Sequence, residues 1–325
     1  MKIKKGEISS STIVAMLIAI TGFIILIYFL SQINKTVDTD FEVCHLSVEK
    51  RSAFNLGPFE PGREYVPLKC NIQKLCLKEK GSKTDCIDQG IVSTKSNKVK
   101  DIKISKDVVQ NKGDVISTFA DSLYRCQSML GKGNLNFMPT SDSTENYCII
   151  CSRIGFNEEL KSDDNLNFTY EELYLYLQDR EVPGKDISYL EYLYQAKKLE
   201  DINQYLNEAG EKITGRDKFD SNIIRDFKIS PNSDSGYAIV AQMNKKSNNW
   251  VLAGSTSLGG LIFYGLTFVP GVGVVVPLVG GITAGSWNFY TFDNTGEFVY
   301  GNPRVVPYNS NSLNDLGCTV IEGTP

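Results

Sequence analysis

Residues 250–287 read WVLAGSTSLGGLIFYGLTFVPGVGVVVPLVGGITAGSW and carry no Asp, Glu, Lys, Arg or His. The rest of the chain is ordinarily polar, with 22% charged residues over 325 positions. The fold of the C-terminal part turns on this stretch, as a membrane element or as a buried core segment.

The chain's two tryptophans, Trp250 and Trp287, bracket the stretch. Tryptophan prefers the membrane–water interface, so the bracket places both ends at one interface, as a hairpin requires. Trp250 to Phe268 would span ~28 Å as a helix. Pro270 to Gly273 is a turn signal. In the return arm Gly273, Pro277, Gly281 and Gly285 recur every fourth residue, and the outgoing arm offers Ala253, Ser257 and Gly260 at helical spacing, with Gly254 and Gly265 as further glycines of the hairpin. Small residues at helical spacing let two helices approach closely in lipid. The pattern predicts a glycine-rich hydrophobic helical hairpin over 250–289. Pro277 would kink its return arm, leaving ~16 Å of helix beyond it, too short to cross a bilayer. The hairpin is therefore expected to dip into a membrane or re-enter. The competing reading is a buried glycine-rich hairpin of a soluble domain; the absence of charge favours lipid.

Strand signals flank the stretch on both sides. DFKI, SPNSDSG and YAIVAQMN (226–243) read as strand, turn and strand; NFYTF, DNTG and EFVYG read as a hairpin. Further upstream, DVISTFADSLYRCQSML places Val115, Phe119, Leu123, Cys126 and Leu130 on one helical face, ended by Gly131 and Gly133. NLNFM and YCIICSRIGF read as strands, EYVPLKCNIQKLCL as an edge strand limited by Pro67, and residues 31–60 as a stalk and turn. Thr169-Tyr170-Glu171-Glu172 fits a capping box, and a second helix is expected from Asp186 to Asn207. The tyrosines of this region (Tyr170, Tyr174, Tyr176, Tyr189, Tyr192, Tyr194, Tyr205) are read as packing rather than as a recognition surface.

At the N-terminus, Ile13 to Leu30 is 18 residues without charge, ~27 Å as a helix. Lys2, Lys4 and Lys5 precede it, which puts the N-terminus in the cytoplasm and the bulk of the chain outside. The run is long for a signal peptide and no A-x-A site follows it. Lys4-Lys5-Gly6 looks like a pilin leader, but Ser11 stands where type IV pilins carry Glu.

All eight cysteines (Cys44, Cys70, Cys76, Cys86, Cys126, Cys148, Cys151 and Cys318) follow the anchor. An oxidising location makes up to four disulfides the leading interpretation, with the pairing undetermined. A hairpin, unlike a single crossing, returns Cys318 to the same side as the other seven. Cys148-x-x-Cys151 invites a metal or redox reading. Zinc would need two more ligands, and the only histidine is His45. On a strand, residues three apart point to opposite faces, so Cys148 and Cys151 are expected to serve different partners. Asn34 and Asn167 begin N-glycosylation triplets.

Several function classes are disfavoured. A net charge of −4 without a basic stripe argues against nucleic-acid binding. GKGNLNF (131–137) lacks the spacing of a phosphate loop. No catalytic constellation, metal site or cofactor is expected.

Tyr147-Cys148-Ile149-Ile150-Cys151-Ser152-Arg153-Ile154, Pro67-Leu68-Lys69-Cys70 and the KKGE start resemble a family of membrane-anchored surface proteins of small-genome archaea. The likeness covers the anchor and residues 44–160. It implies an archaeal cell-surface setting and carries no activity.

The sequence thus predicts an α+β protein. Residues 1–12 form a cytoplasmic tail, 13–31 a transmembrane anchor, 32–160 a disulfide-rich ectodomain, 161–215 a helical Tyr-rich segment, and 216–325 a β-rich part holding the hairpin. The expected function is non-enzymatic: cell-surface interaction, with the hairpin entering its own or a contacted membrane in a pore or fusion role. Membrane lipid, other surface proteins or further copies of the chain are the expected partners. The alternatives are a structural subunit of an envelope or pilus-like assembly and a carboxylate-dependent surface hydrolase.

Overall fold

The computed structural model describes residues 14, 16–24, 39–53, 66–86, 99–133, 135, 137, 146–200, 228–233, 235–245, 262–268, 275–283, 286–292, 298–316, 318 and 320–322. The chain divides into two compact units, Met1–Glu42 and Val43–Pro325.

In the first unit, residues 16–24 are helical. Leu17, Ile18, Phe23 and Ile24 are each exposed. The Thr21 hydroxyl donates to the carbonyls of Leu17 (2.8 Å) and Ile18 (3.0 Å), so this polar group is satisfied within its own helix. Among the described residues no helix is long and apolar enough to cross a membrane. Both ends of the expected anchor lie outside the described residues.

The strands are β1 (Gln73–Glu79), β2 (Val99–Ile104), β3 (Asn146–Phe156), β4 (Phe168–Thr169), β5 (Lys228–Ile229), β6 (Tyr237–Lys245), β7 (Ile262–Phe268), β8 (Val275–Thr283), β9 (Ser286–Phe292), β10 (Phe298–Pro307) and β11 (Val320–Glu322). The main helices are α1 (Thr39–Ala53), α2 (Val108–Met129), α3 (Tyr170–Asp179), α4 (Tyr189–Tyr194) and α5 (Ser310–Asp315). A nine-stranded mixed sheet runs β2-β1-β3-β6-β10-β9-β8-β7, with β11 also on β3. The pair β4-β5 stands apart as a small second sheet.

Strand β3 organises the sheet. Its residues from Tyr147 to Phe156 are all buried, and they read as a near-continuous apolar run, the mark of a strand covered on both faces. One edge takes β6 antiparallel; the other takes β11 beside Tyr147–Ile149 and then β1 beside Ser152–Phe156, both parallel. Ile150 pairs with Val240 and Ser152 with Ile239, so one extra residue sits at Cys151. Such a bulge re-aims the residues after it. Cys148 and Ile150 join Ile72, Ala238, Val240, Val306 and Leu316 on one face, under α5. Past the bulge, Arg153 lies 3.7 Å over the ring of Tyr308, which packs on that same cluster.

The other face carries α2. The expected stripe of Val115, Phe119, Leu123, Cys126 and Leu130 is buried throughout. Phe119 meets the rings of Phe156, Phe168 and Tyr237 at centroid distances of 6.5, 5.5 and 5.7 Å. A buried amide network fixes the helix on β10: Gln127 donates to Asn302 Oδ1 and accepts from the Tyr300 hydroxyl. Gly131, at φ 72°, ends the helix as expected.

The capping box of α3 forms: Glu172 N–H donates to Thr169 Oγ1 (3.1 Å), and Glu172 Oε2 accepts from Thr169 N–H (2.8 Å). Thr169→Ala is expected to lower the unfolding free energy by about 1 kcal/mol, measured as a shift in guanidinium midpoint. An unchanged midpoint would show the box to be redundant.

Four local expectations are corrected. The segment expected as a stalk contains helix α1, and His45 lies on it. The strand expected from residue 64 begins at Gln73, and it is internal to the sheet, between β2 and β3. Leu135 and Phe137 of NLNFM are not in a strand, although Phe137 is buried. The helix expected over 186–207 stops at Tyr194. Gln195 turns left-handed (φ 56°) and its N–H closes on the Glu191 carbonyl. Residues 199–200 are helical again, and those from 201 to 227 lie outside the described residues.

The largest correction concerns the uncharged stretch. Its described residues are strands, not a helical hairpin. β7 and β8 pair antiparallel from Ile262↔Gly281 to Phe268↔Val275, and β8 continues into β9 through Val279↔Tyr290 to Thr283↔Ser286. The hairpin topology stands; its arms are strands. The fourfold glycine ladder did not discriminate, because residues i and i+4 share a face in a strand as well as in a helix. The β-branched and aromatic density of IFYGLTF and VVPLVGGIT favours the extended form. Pro277 pairs with Leu266 on one side, while β9 covers only Val279–Thr283 on the other. An edge of that kind tolerates a missing N–H. The expected boundaries at 160 and 215 do not separate compact units, because β3, β6, β10 and β11 share one sheet.

Candidate functional site

All eight cysteines are paired: Cys44–Cys70, Cys76–Cys86, Cys126–Cys151 and Cys148–Cys318. Cys151 ties β3 to α2 on one face of the sheet. Cys148 ties it to the segment before β11 on the other, so the two do serve different partners. This arrangement holds no C-x-x-C metal site, and no group of three or more His, Cys, Asp and Glu suited to a metal occurs among the described residues. His45 Nδ1–H donates to Met129 O (2.9 Å), and Nε2 lies 3.3 Å from Glu49 Oε1. It therefore joins α1 to the end of α2.

The tyrosines of the helical segment pack. Tyr170, Tyr174, Tyr189, Tyr192 and Tyr194 are buried, Tyr176 is half-buried, and Tyr205 lies outside the described residues. Their role is specific. β10 pairs with β9 only through Val299–Gly301, which leaves the later carbonyls on that edge without a strand. The Tyr170 hydroxyl donates to Val305 O (3.1 Å) and the Tyr194 hydroxyl to Pro303 O at a longer 3.5 Å. Two phenols thus occupy a sheet edge that would otherwise invite pairing. Burial pushes the Tyr194 hydroxyl up to about 12 and raises Tyr170 and Tyr174 well above the ordinary range too, with Arg304 opposing the shift in each case.

The hairpin is the remaining feature of distinctive chemistry. Of the residues expected to build it, Gly265 falls in β7, Pro277 and Gly281 in β8, and Trp287 in β9. Trp250, Gly254, Gly260, Pro270, Gly273 and Gly285 lie outside the described residues, as does Asn34. Asn167 is half-buried, with its side-chain oxygen enclosed. Seven register pairs join β7 to β8. The alternating sets of this ribbon are Ile262, Tyr264, Leu266, Phe268 with Val275, Pro277, Val279, Gly281, and Phe263, Gly265, Thr267 with Val276, Leu278, Gly280. Neither set contains a charge. β7 ends the strand order among the described residues.

A groove of about 290 Å³ opens between α2 and the β1–β2 edge. Leu75 and Ile102 form its apolar floor, and Asp114, Asp121, Lys100 and Arg125 line its walls. Asp121 accepts from the Tyr189 hydroxyl, and Asp114 accepts from Ser105 N–H (2.9 Å). Both carboxylates are engaged as hydrogen-bond acceptors within the fold. The sequence carried a signal for this groove. Asp114, Ser117, Thr118, Asp121, Ser122 and Arg125 recur at i, i+3, i+4, i+7, i+8 and i+11, a second, polar stripe beside the apolar one.

No family model, curated protein or solved structure matches the chain.

Proposed function

We propose that the chain is a membrane-anchored extracytoplasmic protein, without catalytic activity, whose β7–β8 ribbon enters a membrane at a cell surface. The observation that carries this reading is the absence of charge on both alternating faces of a seven-pair antiparallel hairpin. A ribbon of this kind needs an apolar environment on each side. Four disulfides support an oxidising location. The exposed apolar side chains of residues 16–24 support an anchor, Lys2, Lys4 and Lys5 before it support an N-terminus inside, and an archaeal envelope is the setting the family resemblance suggests. Seven extended residues reach ~24 Å, about the height of the apolar band of a membrane β-structure. A lone hairpin crossing the bilayer would leave unpaired N–H and C=O groups in hydrocarbon. A water-filled pore needs one polar face, and this ribbon has none. A dip into the outer leaflet, as in fusion or membrane contact, fits the chemistry better than a channel.

The test uses a variant lacking residues 1–31, floated with liposomes at neutral pH and high salt. The truncated protein is expected to float. Val276→Arg or Phe268→Arg is expected to reduce its partitioning roughly 30- to 1,000-fold, from about 2–4 kcal/mol for a cation on the lipid face. A truncated protein that stays in the supernatant as a monomer would sink the proposal. A second reading, a subunit of an envelope or pilus-like assembly, draws on the position of β7 at the end of the strand order. It would appear as self-association of the truncated protein without lipid, abolished by the same substitutions.

A further inference from the structure

The turn that follows α2 reads Gly131-Lys132-Gly133, and its middle residue adopts φ 57°, ψ 30°. That left-handed conformation is uncommon for a lysine, and such strain concentrates where a side chain must be aimed. Here it aims the Lys132 ammonium at the ring of Tyr192, 4.1 Å from the centroid. Lys185, from the loop between α3 and α4, reaches the same ring at 4.4 Å and the ring of Tyr124 at 5.7 Å. Tyr124 and Tyr192 are themselves edge to face, with centroids 4.8 Å apart. Three separate segments of the chain therefore bring two ammonium groups onto one aromatic pair.

Neither lysine has an ion pair among the described residues. Aromatic faces attract each cation, but they do not neutralise two of them. Burial, and then the charge of Lys185, hold the Lys132 ammonium below its ordinary range. The buried Lys78 meets Asp85 and Asp101, and the half-buried Lys112 meets Glu172. The exposed Lys132 and the half-buried Lys185 share aromatic rings instead of a carboxylate.

We infer that Lys132 and Lys185 form a binding site for a phosphate group, held by the two ammoniums on the side away from the Tyr124 and Tyr192 rings. Two positive charges match a phosphomonoester dianion. The shared chemistry is the phosphate, whether it arrives as a soluble ion or as a lipid headgroup.

The test is pulsed acylation of the full chain in neutral detergent, with Lys132 and Lys185 read by mass spectrometry against Lys83 and Lys197 as references. Inorganic phosphate, exchanged for chloride at constant ionic strength, is one probe; micelles doped with phosphatidic acid are the other. Bound phosphate is expected to slow labelling of Lys132 and Lys185 roughly three- to tenfold, the effect of half to one pKa unit on the free amine. Lys185→Met, and independently Lys185→Gln, should remove the protection at Lys132 while leaving the circular dichroism spectrum unchanged. Protection by inorganic phosphate supports a soluble ligand, and protection by phosphatidic acid alone supports a headgroup. Unchanged rates at both lysines with both probes, or slowing shared equally by the reference lysines, overturns the site.

Discussion

Replacing Cys148 and Cys318 by alanine is expected to lower the unfolding free energy by roughly 5 kcal/mol, more than the loss of any other bridge. Cys148–Cys318 closes a loop of 170 residues, against 10 for Cys76–Cys86. The chain-entropy relation gives roughly 5 kcal/mol for the first length and roughly 3 for the second. No other bridge has both ends inside the longer loop, so nothing shortens it in the unfolded chain. Packing adds to the effect. The bridge lies beside the β11–β3 pairing and holds down the segment that includes α5 and Leu316. That segment covers Ile72, Ile150, Ala238, Val240 and Val306, and releasing it returns this apolar face to water. Guanidinium unfolding of the two double-alanine variants decides the matter. A larger loss for Cys76/Cys86 than for Cys148/Cys318 would contradict the ordering.

Elements that the sequence made legible are those specified by local chemistry. The apolar stripe from Val115 to Leu130 fixes α2, and Thr169 with Glu172 fixes the start of α3. The three-residue spacing of Cys148 and Cys151 separates their partners. What the sequence left open depends on long-range pairing. β3 is flanked by β1, β6 and β11, from three distant parts of the chain, and no period within NYCIICSRIGF names those neighbours. The arms of the uncharged stretch were illegible for a different reason. Glycines four apart satisfy both helix and strand geometry, and the run of Val, Ile, Phe and Tyr between them was the informative signal. The groove beside α2 was legible in its polar stripe, but that stripe describes a solvated helix face equally well until β1 and β2 are placed beside it. The Lys132–Lys185 pair was not legible at all, since the two lie 53 positions apart in the sequence and only the fold joins them.

Alkali is expected to open this protein cooperatively above pH 10, beginning at the tyrosine-covered edge of β10. Tyr170, Tyr174 and Tyr194 are buried, and burial raises the folded-state pKa of each above its unfolded value of about 10. The neutral phenols therefore contribute stability that is fully present below pH 10 and is lost as pH rises through the folded values. For Tyr194 that loss is complete near 12; burial raises the other two in the same direction. At about 1.4 kcal/mol per tyrosine per pH unit, the three together lose about 4 kcal/mol by pH 11. Tyr189, Tyr237 and Tyr300 are raised in the same direction and steepen the transition. Ionisation also removes the O–H donors that hold Val305 O and Pro303 O, so the β10 edge loses its cover as the charge appears. Tyrosinate absorbance and far-ultraviolet circular dichroism, followed together against pH, are expected to change in one shared step. Tyr170→Phe keeps the ring but removes one titrating group. It should cost about 1 kcal/mol at neutral pH for the lost hydrogen bond and reduce the alkaline loss from the three-tyrosine cluster by about a third. Tyrosinate signals that rise near pH 10 while the dichroism holds steady would mean that these phenols are open to water and that the β10 edge is not sealed by them.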